Sequence, residues 1–257
     1  MLFLKILMVL YFYSLVYGKK VVRMLEVRNL SKRYGRRLIL DDVSISFPKG
    51  EISCLLGLNG VGKSTMMKAI MRLIPIDKGK VTIDGKQISS KNMDRIAYVP
   101  DTPIYDLGMS SVGNLEHATV FYPNFDMGKA KRLMEFLKLP NEKKLKDLSK
   151  GNLARFNLIV GLCQNADYLL LDEPFSGIDV FTREEFIRAL KSEFLNDGQT
   201  VIITTHEIDE IQNIADYVVL LEEGRVFQTF SRIEAEAEGL KIVDKMRKLY
   251  QPELEVK

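Results

Sequence analysis

Ile52-Ser53-Cys54-Leu55-Leu56 is a short apolar run that empties into Gly57-Leu58-Asn59-Gly60-Val61-Gly62-Lys63-Ser64, with Thr65 next. Such a run is what a strand buried on both faces requires. The eight residues after it match the spacing of a phosphate-cradling loop, Gly-x-x-x-x-Gly-Lys-Ser, between a buried strand and a helix. The glycines let the backbone curl so that successive N–H groups point inward at phosphate oxygens. The following helix adds the partial positive charge of its N-terminus. Lys63 is placed to reach the β- and γ-phosphates of a nucleotide, and the Ser64 hydroxyl to ligate Mg²⁺. Met66, Met67, Ile70, Met71 and Leu73 then share the apolar side of a helical pattern.

Working outward, Tyr168-Leu169-Leu170-Leu171-Asp172-Glu173-Pro174 is a second apolar strand, ending in two carboxylates. In isolation this signal is weak, because strand ends are often acidic. Beside a full Walker A loop it takes the form of a Walker B segment. The strand holds Asp172 near the metal, and Glu173 is placed to take a proton from an attacking water.

The rest of the pattern sets the fold. Met24 to Val27, Val43 to Phe47, Val81 to Asp84 and Ile96 to Val99 read as strands, with a turn at Pro48-Lys49-Gly50. From about 102 to 164 the texture changes. Val112 to Tyr122, Met127 to Leu139 and Leu153 to Cys163 carry helical spacing, with no strand between them. Strands return at Tyr168 to Leu171 and Thr200 to Thr204, on either side of a helix around Arg183 to Phe194. Val218 to Leu221 and Arg225 to Phe230 form a closing pair that turns at Glu223-Gly224, and a charged helical tail starts at Ser231. The expected fold is α/β, with a parallel sheet core interrupted by an all-helical block.

Bulk properties bound the partners. At 257 residues, 46% hydrophobic and 28% charged, the chain has the composition of a globular protein with ample core. A formal charge of +3 is too close to balance to argue for nucleic acid, and no nucleic-acid partner is expected. Cys54 and Cys163 sit in apolar runs and read as buried thiols suited to a reducing compartment. Met1 to Gly18 is almost wholly apolar and is followed by Lys19-Lys20. Three readings compete for it: a start codon taken too early, with Met24 as the true start; a membrane anchor; or a cleaved signal. The early start is favoured, because the ordered pattern begins at Met24.

Leu148-Ser149-Lys150-Gly151-Asn152, just upstream of the second acidic strand, narrows the family. Read alone it is a helix N-cap at Ser149. With the two Walker segments it resembles the LSGGQ signature of ABC ATPases. Ser176-Gly177-Ile178-Asp179 resembles that family's D-loop, His206 its switch histidine, and Tyr34 the aromatic residue that stacks on adenine. The resemblance covers about residues 24–230. It implies a P-loop NTPase fold: a RecA-like parallel core, an antiparallel β subdomain and an all-helical ABC subdomain. The apolar extension at 1–23 and the tail at 231–257 lie outside it.

The resemblance also implies roles. ATP with Mg²⁺ would lie on Gly57 through Thr65 and Tyr34, with Ser64, Asp101 and Asp172 toward the metal. Lys63, Glu173 and His206 would carry catalysis. Ser149 and Gly151 would grip the γ-phosphate bound to a second ATPase subunit, identical or related, which Asp179 would contact. A separate polytopic transmembrane permease subunit is implied, with this chain peripheral on the cytoplasmic face of the cell membrane. There are two departures. Asp101 stands where the family has the Q-loop glutamine, in Ile96-Ala97-Tyr98-Val99-Pro100-Asp101, and Lys150 and Asn152 replace glycine and glutamine in the signature. The LSKG form, with Tyr122-Pro123-Asn124-Phe125-Asp126 upstream, resembles a bacterial exporter-type branch. The competing readings are an ABC-type ATPase that never meets a transporter and a non-catalytic nucleotide-binding regulator. The first lacks the usual second cassette or long insertions, and the second conflicts with Glu173 and His206.

Overall fold

The computed structural model describes residues 24–102, 105–190, 194–206 and 212–250. The extension at 1–23, with its three readings, lies outside them.

Two sheets organise the chain. Strands β1 (Met24–Tyr34), β2 (Arg37–Pro48), β4 (Lys78–Ile83) and β5 (Lys86–Gln87) form an antiparallel sheet in the order β2-β1-β4-β5. Strands β3 (Ile52–Leu56), β6 (Ile96–Val99), β7 (Tyr168–Asp172), β8 (Thr200–Thr205), β9 (Tyr217–Glu222) and β10 (Arg225–Ser231) form the second, in the order β10-β9-β3-β8-β7-β6. From β9 to β6 this sheet is parallel; β10 returns antiparallel on β9 through Glu223-Gly224.

The central strands β3, β7 and β8 are buried at every position because both sheet faces are covered. Leu55, Ile96, Leu170, Ile202 and Val219 pack toward the antiparallel sheet and α1 (Lys63–Ile70). Their neighbours Cys54, Leu56, Val99, Leu169 and Ile203 pack toward the other helices. These are α2 (Ser111–Phe121), α3 (Met127–Phe136), α4 (Lys150–Cys163), α5 (Val180–Ala189), α6 (Arg232–Ala237) and α7 (Ile242–Tyr250). Burying one such Leu or Ile contributes roughly 1.5–3 kcal/mol before chain entropy is counted, so the two-sided sheet is the main stabilising layer. Both cysteines are buried and neither is in a disulfide.

Helix starts follow side-chain caps. Ser110, Asp126 and Ser149 accept the backbone N–H of Gly113, Lys129 and Asn152 at the starts of α2, α3 and α4. The cap at Ser149 lets α4 begin at Lys150, three residues before the apolar periodicity starts at Leu153. Helix α5 likewise begins at its Asp179 cap, ahead of Arg183, and ends at Ala189. The first hairpin is longer than its apolar residues suggest, because register shifts between Val27 and Arg33 carry polar residues along it. Leu73, expected on the buried side of α1, lies beyond the helix end and is exposed.

Candidate functional site: a nucleotide cleft at the ends of parallel strands

Parallel pairing brings the site together. Leu56 is opposite Thr205, Asp172 opposite Thr204, and Val99 opposite Leu171. Strands β3, β8, β7 and β6 therefore end along one edge of the sheet, the edge where open α/β sheets bind ligands. The Gly57–Ser64 loop, His206, Asp172 with Glu173, and Pro100 with Asp101 all emerge there.

The loop after β3 turns tightly into α1. Gly62 has φ +115°, and a Cβ there would lie 2.7 Å from Leu40 Cδ2 and 3.1 Å from the Ile39 carbonyl oxygen. Only glycine fits between the loop and β2. Lys63 is buried, and its ammonium donates to the carbonyls of Gly57 (2.7 Å) and Leu58 (3.4 Å) across the loop mouth. Its Nζ lies 3.7 Å from Glu173 Oε1, and Glu173 Oε2 lies 3.0 Å from His206 Nδ1. One carboxylate thus joins the loop lysine to the histidine after β8.

Asp172 has no solvent exposure, yet its carboxylate has three hydroxyl partners. Ser64 Oγ (3.0 Å) and Thr204 Oγ1 (2.6 Å) donate to Oδ1, and the Tyr98 hydroxyl (3.3 Å) to Oδ2. Burial first, and the charge of Asp172 second, push the Tyr98 phenol well up, so it remains a donor. Glu173 adopts φ +48°, unusual outside glycine. Its amide donates to both the carbonyl (3.1 Å) and the hydroxyl (3.0 Å) of Thr204, which hold that backbone in place.

The signature stretch approaches the same place. A cleft of about 430 Å³ is lined by Asp101, Lys150, Asp172, Glu173 and His206 among others. Asn157 of α4 donates to the Pro100 carbonyl at 2.8 Å, fixing that helix to the end of β6. A Cβ on Gly151 would lie 2.9 Å from the Gly177 carbonyl oxygen, so the signature and the D-loop segment touch through backbone. Arg155 of α4 bonds Asp179 Oδ2 (3.2 Å) and Thr182 Oγ1 (2.9 Å), while Asp179 Oδ1 caps α5 on Thr182 N. That capping amide, first among the causes, holds the Asp179 carboxyl below its usual value.

Tyr34 stands apart. It is half-exposed at the tip of the β1–β2 hairpin, with Lys32 Nζ 5.1 Å from its ring centroid. Its link to the loop is β2, which packs on Gly62.

The donor set suits Mg²⁺. Ser64 and Asp172 offer hard oxygen ligands, and among the described residues no group of three or more His, Cys, Asp and Glu could hold a metal by itself. Mg²⁺ is ordinarily held this way, by one or two protein oxygens with phosphates and waters completing the shell.

Sequence reading passed over Tyr98, Thr204 and Asn157. The signal for Thr204 was present: a hydroxyl in a strand buried at every position must find a partner. Tyr98 and Asn157 carried none, since their contacts depend on how α4 and β6 pack.

Comparison with known proteins identifies the family. The ABC transporter family model matches residues 40–176, more than half of the chain. The chain belongs to the ABC transporter family. It is similar to the ABC transporter ATP-binding protein YtrB of Bacillus subtilis, 32% identical over 222 residues that cover 85% of this chain and 76% of YtrB. The petrobactin import ATP-binding protein YclP of Bacillus subtilis is 30% identical, covering 79% of this chain and 85% of YclP. The lantibiotic transport ATP-binding protein SrtF of Streptococcus pyogenes is 29% identical, covering 79% and 89%. A solved ATP-binding subunit of an ABC transporter superposes with a TM-score of 0.77 at 25% identity, covering 89% of this chain and 98% of that one. The bacterial cassette MJ0796, solved as a dimer, gives 0.72 at 25% identity, covering 81% and 98%. This ABC chain is therefore an ATP-binding, ATP-hydrolysing subunit with a P-loop NTPase fold. Among its described residues no helix is long and apolar enough to cross a membrane.

Proposed function

We propose that this subunit dimerises around two ATP molecules and drives a separate polytopic transmembrane permease. The observation that carries the reading is the convergence of Lys63, Glu173 and His206 beside the buried Asp172. Gly57 to Thr65 cradles the phosphates, with Leu58, Asn59, Gly60 and Val61 offering backbone N–H groups. Lys63 neutralises charge on the β- and γ-phosphates, and Tyr34 stacks on adenine. Ser64, Asp172 and Asp101 hold Mg²⁺, which when bound offsets charge on the phosphate oxygens. Glu173 accepts the proton of the attacking water, and His206 orients that carboxylate and the γ-phosphate.

Ser149 and Gly151, at the N-terminus of α4, serve the nucleotide bound to the second ATPase subunit, and Asp179 contacts that subunit. Residues 24–230 form the ATPase domain, with the helical subdomain at about 102–164. Residues 1–23 are an apolar extension by composition, and 231–257 a charged tail that is helical in its described part. The helical subdomain passes motion to the permease. Val120 and Phe121, largely exposed at the end of α2, support that assignment. Phe121 borders a cleft of about 380 Å³ between helical block and core, lined in part by Leu73, Met93 and Tyr98. The chain works peripherally at the cytoplasmic face of the membrane, where ATP is available. Export is favoured by the LSKG signature.

The test is purification of the chain from its native membranes, with bound proteins identified by mass spectrometry. A polytopic membrane protein in stoichiometric amount is expected. Recovery with ribosomes or repair factors instead would leave the ATPase standing and remove the transporter.

A further inference from the structure

We propose that Tyr98 is a positioning residue for the magnesium-binding carboxylate, holding the side of Asp172 that Ser64 and Thr204 leave free. The inference rests on the nucleotide-site reading above and adds a residue that the motifs do not contain.

Asp172 ends β7, which runs between β8 and β6. From β8, Thr204 donates to Oδ1 at 2.6 Å; from β6, Tyr98 donates to Oδ2 at 3.3 Å. The two flanking strands thus each hold one oxygen, and together they fix the rotation of the carboxylate about its last bond. Ser64 shares Oδ1 with Thr204, so when Ser64 turns its oxygen to a metal, Thr204 still fills Oδ1. Among the described side chains, Oδ2 has Tyr98 alone. Its bond is longer than that of Thr204, so it steers the carboxylate where Thr204 anchors it.

The phenol is well suited to this role. Its ring packs against the core cluster that contains Leu170 and Tyr168 and borders the cleft with Met93 and Phe121, so its direction is set by packing. The hydroxyl adds no charge at a site that must balance a metal against phosphates. A lysine or arginine there would compete with the metal for the carboxylate, whereas a neutral donor carries no charge to compete with.

The test uses the full chain carrying Glu173→Gln, which stops turnover. Affinity for a fluorescent ATP analogue is measured across Mg²⁺ concentrations and in EDTA, with and without Tyr98→Phe. The phenylalanine keeps the ring and removes only the donor. The expected result is an increase in half-saturating Mg²⁺ of roughly two- to tenfold, the worth of one hydrogen bond. Nucleotide affinity in EDTA should be unchanged. Superposable Mg²⁺ curves would overturn the inference. So would an equal loss of affinity with and without Mg²⁺, the mark of a general loosening of the fold. If the Glu173→Gln parent bound no nucleotide at any Mg²⁺ concentration, the nucleotide-site reading would fail and this inference with it.

Discussion

Glu173 Oε2 lies 3.0 Å from His206 Nδ1, and the other oxygen of the same carboxylate lies 3.7 Å from Lys63 Nζ. The three residues come from the ends of β7 and β8 and from the start of α1. A carboxylate held between an ammonium and an imidazole, on a backbone fixed at φ +48°, has little freedom to swing. Glu173 lines the same cleft as His206 and as Asn59 of the glycine loop.

Glu173→Gln keeps the shape of that side chain and removes its basicity. The variant is expected to bind ATP and accumulate as a dimer, while phosphate release falls about 10²- to 10⁴-fold, the usual worth of a general base. Size-exclusion chromatography with ATP and a phosphate-release assay check both halves. Normal turnover would rule Glu173 out as the base.

His206→Ala removes the partner that orients Glu173 while leaving the loop and Lys63 untouched. ATP affinity should stay within about twofold, and turnover should fall by one to two orders of magnitude, on the order of the lower range for acid–base groups. Equilibrium binding set beside steady-state kinetics separates the two. A large loss of affinity with intact turnover would contradict this geometry.

Thr204→Val substitutes a side chain of nearly the same shape but without the hydroxyl that bonds Asp172 and receives the Glu173 amide. Leaving part of a buried carboxylate unsatisfied should cost about 1–3 kcal/mol. At this chain size each kcal/mol lowers Tm by roughly 2–4 °C, so a thermal melt reads it directly. Thr204→Ser, which keeps the hydroxyl, should recover most of the loss.

Gly151→Val puts a side chain where the Gly177 carbonyl oxygen is 2.9 Å from the Cβ position. Backbone on both sides has to move, so the signature no longer presents its amides as before. In the Glu173→Gln background the ATP-driven dimer should disappear on size-exclusion chromatography, while monomer affinity for ATP is retained. A dimer that persisted would show that Gly151 lies outside the composite site.

Much of the fold was legible from local pattern. A strand buried on both faces reads as an unbroken apolar run, so Ile52–Leu56 and Tyr168–Asp172 stood out, and the sheet covered on two sides explains why. The hairpin Met24–Tyr34 with Arg37–Pro48 was visible only at its apolar ends. Its middle slips register, and polar residues there are held by partners on the neighbouring strand, which no periodicity encodes. Apolar spacing places the starts of α4 and α5 about three residues late, because caps set the starts at Lys150 and Val180 and apolar spacing begins only once the helix faces the core.

The sequence by itself determined the chemistry: a glycine loop ending in Lys63-Ser64, a strand ending in Asp172-Glu173, and a histidine after a third strand. Those residue types follow from what phosphates, a metal and a proton require, and their spacing along the chain is local. The tertiary structure decided which groups meet. Parallel register put four strand ends on one edge; only then did Thr204 and Tyr98 close on the two oxygens of Asp172 and Asn157 tie the signature helix to Pro100. Those contacts join residues 32 (Thr204 and Asp172), 74 (Tyr98 and Asp172) and 57 (Asn157 and Pro100) positions apart, which only packing brings together, and no local pattern records such a meeting.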